Sequence, residues 1–147
     1  MSSLKVRNFT KIYRGSFSLE KVQFDLNPNE ILGLIGPNGS GKTTLIEGVA
    51  GLLPCQSGSV SLEGKEISDS KRKEVLFYLP EALIPYEDQF IEKVLSFYCH
   101  LVQCDLKKID RIVDRLELRT VFSKRVKTLS KGFRRRLLIA LALFSPQ

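Results

Sequence analysis

Gly36-Pro37-Asn38-Gly39-Ser40-Gly41-Lys42-Thr43 is the run whose residue types, at this spacing, can bind phosphate. It satisfies the pattern G-x-x-x-x-G-K-[ST] at every fixed position. The glycines let the backbone curl with its N–H groups turned inward on an anion. A helix starting there adds the positive end of its dipole. Lys42 brings an ammonium to the β- and γ-phosphates of a nucleotide, and the Thr43 hydroxyl is a ligand for Mg²⁺. The plain alternative is a Gly-rich turn ahead of an ordinary helix. With Gly near 7% of residues, that alternative meets the pattern by chance in roughly one per cent of chains this long.

The elements around the loop are the ones its chemistry requires. Ile31-Leu32-Gly33-Leu34-Ile35 precedes it and predicts a buried strand. Thr44-Leu45-Ile46-Glu47-Gly48-Val49-Ala50 follows and predicts a helix. Strand, loop and helix in that order form the unit in which the motif works. Upstream, Leu4–Phe9 alternates as a half-buried strand does, residues 10–15 suggest a turn, and Phe17–Leu26 has strand character with Phe17, Leu19, Phe24 and Leu26 inward. Asn27-Pro28-Asn29-Glu30 is a turn signal. Downstream, Gly51-Leu52-Leu53-Pro54 stops the helix, and residues 58–67 predict a strand, a Gly turn and the start of another strand. Residues 68–74 suggest a polar surface stretch, and Val75–Leu79 a second buried strand ended by Pro80.

The pattern changes after Pro80. Phe90, Val94, Leu95, Tyr98 and Leu101 fall at helical spacing, as do Leu106, Ile109, Ile112, Val113 and Leu116. These stripes are expected to pack on each other. Residues 132–144 predict a further helix, with Ser130 as N-cap and Pro146 past its end.

Bulk properties bound the function. At 147 residues, 43% hydrophobic, the chain suits one core. No run approaches the 18 or so apolar residues of a membrane span, and the N-terminus lacks the apolar stretch of a secretion signal. These features predict a soluble, intracellular protein that can still dock on a membrane protein. Cys55, Cys99 and Cys104 are odd in number and form no C-x-x-C pair, which makes disulfides unexpected and favours buried thiols over a metal cluster with His100. Net charge is +7, with ten Lys/Arg against nine Asp/Glu over residues 1–81 and thirteen against seven over 82–147. The basic half, with Arg134-Arg135-Arg136, admits a nucleic-acid surface. A solvated helical face accounts for it more simply.

A second motif fixes a family resemblance. Leu129-Ser130-Lys131-Gly132-Phe133, followed by a basic and apolar helix, resembles the L-S-G-G-Q signature of ATP-binding cassette (ABC) ATPases. Leu129, Ser130 and Gly132 match; Lys131 and Phe133 depart from the pattern. Leu129 stands 93 residues after Gly36, with a helical segment between. Tyr13 lies where this family places an aromatic that stacks on adenine, with packing on the sheet as its plain alternative. Residues 51–64 resemble the family's connection after the phosphate-loop helix. Tyr78-Leu79-Pro80-Glu81 resembles the segment carrying its Q-loop glutamine, with Glu81 at that position.

The resemblance implies an α/β P-loop NTPase fold of the ABC type: a mixed β-sheet with the phosphate-loop helix, plus an α-helical subdomain. It implies a β-rich core over 1–80, a helical subdomain over 81–128, and the signature motif with its helix over 129–147. The implied ligands are ATP and Mg²⁺. Residues 36–44 would hold the triphosphate, with Lys42 in the catalytic set, while Ser130, Lys131 and Gly132 of a second ATP-binding subunit would cap the γ-phosphate in a head-to-tail dimer. Glu81 would join Thr43 at the metal, or serve only a partner contact. The family's next segment, a strand ending in the carboxylates that support Mg²⁺ and activate water, lies past Gln147. The 147 residues are therefore expected to be the first two-thirds of the domain, inactive in hydrolysis on their own. The implied role is the ATP-binding subunit of a membrane transporter, held on the cytoplasmic face by a permease, with no direct nucleic acid. The alternatives are a soluble ABC-type ATPase acting on ribosomes or nucleic acid, and a nucleotide-binding module without turnover.

Overall fold

The computed structural model describes residues 3–13, 17–80, 83 and 86–144. They form two compact units, residues 1–78 and 79–147.

The first unit is a four-stranded antiparallel sheet with two helices. Strands β1 (Leu4–Tyr13), β2 (Phe17–Leu26), β3 (Ser57–Leu62) and β4 (Lys65–Glu66) lie in the order β2-β1-β3-β4. Helix α1 (Lys42–Val49) follows the phosphate loop, and α2 (Asp69–Val75) follows β4. β2 has the bounds its alternation predicts; Leu19, Phe24 and Leu26 are partly buried, while the Phe17 side chain lies outside the described residues. β1 runs four residues past Phe9, through the stretch expected to turn, because its pairing continues to Tyr13 opposite Phe17. Register shifts around Phe9 bend it, and Asn8 there takes a φ of 48°. The Thr10 hydroxyl accepts from the Lys21 N–H at 3.1 Å and fills the gap in the ladder.

The core of this unit is Val6, Phe9, Leu45, Val49 and Val60. Phe9 is its centre, and glycines make room for it. A Cβ on Gly48 would sit 2.3 Å from Phe9 Cζ, and one on Gly58 2.6 Å from Phe9 Cα. Gly58 also has a φ of 110°, which side-chain-bearing residues avoid.

Two expected strands are not formed. Residues 31–35 have no ladder, and Ile31 and Ile35 are each 96% exposed. A run apolar on both faces is stable as a strand only with neighbours on both sides, and the described sheet pairs other strands. Residues 76–80 likewise have no ladder, and the polar stretch before them, with Val75, is helix α2, capped by Ser68. α2 locks onto α1 through Arg72, which is 5% exposed. Its Nη1 donates to the Gly48 carbonyl at 2.9 Å and its Nη2 pairs with Asp69. α1 has no basic residue in its last turn, so Arg72 supplies the cation at that negative end.

The second unit is helical: α3 (Ile91–Leu101), α4 (Lys107–Arg115) and α5 (Lys131–Phe144), with short 3₁₀ turns at Arg119–Val121 and Val126–Thr128. Its core joins Leu95, Cys99, Val113, Leu118, Leu137 and Phe144 with their neighbours. The stripes pack as expected except at their ends. Phe90, Leu101 and Leu106 are exposed because they lie at or beyond helix termini, past the reach of the core. Cys99 and Cys104 are joined in a disulfide, Cα–Cα 5.1 Å, contrary to the reading of the three cysteines as free thiols. The chain reversal after α3 brings them together at a spacing that cysteine counting does not register. Cys55 is free. Among the described residues no helix is long and apolar enough to cross a membrane.

Candidate functional site: the phosphate loop and the signature helix

The loop from Gly36 to Lys42 sits on the first unit, exposed up to Gly39. Its curl is set by left-handed glycines: Gly39 has a φ of 82° and Gly41, the N-cap of α1, a φ of 87°. The Ser40 N–H donates to Pro37 O at 3.3 Å and closes the turn. Lys42 folds back over it, with Nζ donating to Gly36 O at 2.8 Å and to Pro37 O at 2.7 Å. The ammonium is thereby held above the loop rather than out in solvent.

The start of α1 differs from the starts of α2 and α5. Ser68 caps α2 and Ser130 caps α5, whereas no side chain caps α1, α3 or α4. The first amides of a helix have no intrahelical acceptor. At α1 they open, with Thr43 exposed among them, onto the loop that Lys42 covers. That donor set fits a phosphate chain, and a hydroxyl beside it fits Mg²⁺. Thr44 is one residue further in, partly buried.

The segment after α2 is tied to the same helix. Tyr78 OH donates to Glu47 Oε1 of α1 at 3.1 Å. Partial burial, then the Glu47 contact, raises the Tyr78 pKa above its ordinary value. Glu81, three residues on, lies outside the described residues. Tyr13 ends β1 with its ring 40% exposed, and Lys11 Nζ lies 5.1 Å from the ring centroid.

Ser130, Lys131 and Gly132 lie on the second unit, at the start of α5. The Phe133 N–H donates to Ser130 Oγ at 3.4 Å, and Lys131 and Gly132 are exposed. A Cβ on Gly132 would meet nothing closer than Ser130 Oγ at 3.9 Å. Glycine within a helix costs about 1 kcal/mol relative to alanine, and no internal contact here asks for it. The basic run that follows is largely committed to internal partners. Arg134 Nη2 donates to Lys127 O at 3.0 Å, and Arg136 Nη1 to Leu116 O at 3.2 Å and to Glu117.

Sequence reasoning missed the segment that leads into the signature motif. Residues 86–91 pair with residues 124–127: Ile91 N–H donates to Lys124 O, Val126 N–H to Gln89 O and Lys127 N–H to Glu87 O, at 2.8–3.0 Å. Lys127 Nζ donates to Asp88 at 2.7 Å. That bond holds the Asp88 carboxyl below its ordinary value, with Lys127's charge and Arg125 adding to the effect. No periodicity marks such a clasp, since it lies between loops.

Comparison with known proteins gives a family. The ABC transporter family model matches residues 19–147. The chain is 33% identical over 146 residues to rat ATP-binding cassette sub-family A member 2, covering 93% of this chain and 6% of that protein. It is 31% identical over 145 residues to a molybdate/tungstate import ATP-binding protein of Methanocaldococcus jannaschii, covering 95% and 48%. The chain thus spans about half the length of such microbial relatives. Among solved structures, a putative ABC transporter ATP-binding protein from Pyrococcus furiosus superposes with a TM-score of 0.81 at 26% identity, covering 97% of this chain and 70% of that one. An ATP-binding cassette in its ADP conformation has the same fold, with a TM-score of 0.81 at 23% identity. Phosphate loop, signature helix and overall match together place this chain in the ABC transporter family.

Proposed function

We propose that the chain binds Mg-ATP as part of the ATP-binding subunit of an ABC transporter. The observation that carries this is the phosphate loop: two left-handed glycines, an uncapped helix start, and Lys42 held over the loop by the Gly36 and Pro37 carbonyls. In this reading a triphosphate takes the uncommitted N–H groups of the loop and the first turn of α1, to which Pro37 contributes none, and draws the Lys42 ammonium from those carbonyls to its own oxygens. Thr43 holds Mg²⁺, which neutralises phosphate charge when bound, and Glu81 joins it there. Tyr13 stacks on the base. Ser130, Lys131 and Gly132 serve the γ-phosphate of a second subunit. Gly132 supports that role, since its own fold gives no reason for a missing side chain.

The partner in this proposal is an integral membrane permease, which would hold the subunit at the cytoplasmic face. The exposed apolar side chains Tyr86, Phe97 and Leu101 of the second unit suit such a contact. A nucleic-acid partner is less well supported, because Arg134 and Arg136 are already paired within the unit.

We assign nucleotide binding to these 147 residues and hydrolysis to a complete cassette of the family type. Calorimetric titration with Mg-ATP tests the first part. Wild type should bind, and Lys42→Ala should weaken binding at least about tenfold, the worth of a charge-assisted hydrogen bond. Equal affinity in the two would overturn the assignment of the loop. Phosphate release by this chain that Lys42→Ala abolishes would overturn the division of labour.

A further inference from the structure

The last turn of α3 carries a chemical site that neither motif uses. Gln103, just past the helix, has a φ of 55°. Its N–H donates to His100 O at 3.1 Å, and the Cys104 N–H to Cys99 O at 2.9 Å. This two-bond reversal lays the residue after the left-handed position against the one five before it. α4 ends in the same way: Glu117 has a φ of 54°, its N–H donates to Asp114 O at 3.1 Å, and the Leu118 N–H to Val113 O at 2.8 Å. There the facing residues are Val113 and Leu118, both fully buried and held by apolar contact. At α3 the facing residues are Cys99 and Cys104, joined covalently. Consecutive helices therefore share one ending, fastened differently. A left-handed residue other than glycine is disfavoured. The α4 ending offsets this with two buried side chains, whereas in the α3 ending Cys104 is only partly buried.

We propose that Cys99–Cys104 is a reversible thiol–disulfide exchange site, opened by a dithiol reductant, whose state sets the order of the last turn of α3. Cys99 is fully buried and Cys104 partly exposed, so an incoming thiolate reaches Cys104 Sγ. Its sulfur bonds to Cys104 Sγ, the Cys99–Cys104 bond breaks, and Cys99 leaves as a thiolate that takes a proton. The second thiol of the reductant, as thiolate, attacks the reductant's own sulfur in the mixed disulfide. Cys104 leaves and is protonated, and the reductant is oxidised to a disulfide. Two electrons and two protons pass to the protein. The turn carries Tyr98 and Leu101, which line an apolar groove of about 440 Å³ with Phe97 and Leu141. The state of the cysteine pair thus sets how firmly that wall is held.

The test uses the 147-residue chain purified without reductant. Alkylation and peptide mass analysis should label Cys55 alone, with Cys99 and Cys104 linked; dithiothreitol should then release both to label. Amide hydrogen exchange read before and after reduction should speed up about tenfold or more at Gln103 and Cys104. Glu117 and Leu118 at the α4 ending are the internal control and should not change. Cys104→Ser should exchange like reduced wild type, with or without dithiothreitol. Alkylation of Cys99 or Cys104 before reduction overturns the proposal, and so does exchange at the α3 ending that reduction leaves unchanged.

Discussion

In the proposed function Lys42 sits between two roles. Its Nζ already has two carbonyl acceptors in its own loop, so a triphosphate competes with bonds of 2.7–2.8 Å rather than with water alone. Ser130 shows a similar overlap, and substitution separates its roles. An N-cap serine changed to alanine costs about 1 kcal/mol, and changed to glycine only a few tenths. Ser130→Gly should therefore melt close to wild type, yet lose any ATP-dependent dimerisation seen by sedimentation if Ser130 contacts nucleotide. Unchanged dimerisation would leave only the cap. Asp88 offers a pH test. Its folded pKa is lowered from 3.8, so the Lys127 pair contributes fully above that value and is lost as pH falls through the lowered one. Carboxyl carbon shifts should give an Asp88 midpoint below 3.8, moving up toward it in Lys127→Met. A midpoint unmoved by that change would mean the pair is not formed in solution. The phosphate-loop candidates were legible from a general pattern of residue types at fixed spacing, and those of the second motif from a family resemblance. The Asp88–Lys127 pair was not, because its partners are 39 residues apart, on a turn and a short 3₁₀ segment that carry no period.

At the level of elements, the phosphate-loop helix is set at a fixed height above the sheet by a missing side chain. Gly48 faces Phe9 so closely that a single methyl must displace an aromatic ring buried at the centre of its unit. Gly48→Ala should cost about 1–3 kcal/mol, the usual penalty of overpacking, and thermal melts can read it. Because the displaced helix carries Lys42, affinity for ATP should fall with it; full stability in Gly48→Ala would show that Phe9 has room to move. β2 and helices α3, α4 and α5 were read correctly because each carries a period of its own, as in the alternation along Phe17–Leu26 and the three- and four-residue spacing of Ile109, Ile112 and Val113, whereas α2, short and polar, carries none and was missed. Residues 31–35 have apolar composition and no period. Composition speaks for burial but says nothing of the neighbour that must supply the ladder.

At the level of the whole molecule, those five residues matter again. Ile31 and Ile35 are almost fully exposed, and the backbone between them is unpaired in any sheet. Such a segment invites pairing with another chain. The 147 residues should self-associate with rising concentration in sedimentation velocity and bind a hydrophobic dye. The double variant Ile31→Lys, Ile35→Lys should reduce both, while leaving the α1 phosphate loop in place. A monodisperse chain that binds no dye would show these side chains to be covered in solution.

The uncapped start of α1 at the phosphate loop has a thermal consequence. Ser68 and Ser130 cap the first turns of their helices, whereas α1, like α3 and α4, has no side-chain cap, and of these three only α1 opens onto the phosphate loop. In the proposed function nucleotide also supplies acceptors for the first amides of α1, and its binding energy adds to unfolding resistance. At a hundredfold excess over the dissociation constant the gain is about 2.7 kcal/mol. The same protein should therefore melt at different temperatures in nucleotide-rich and nucleotide-poor solution, with the first turn of α1 gaining the most protection.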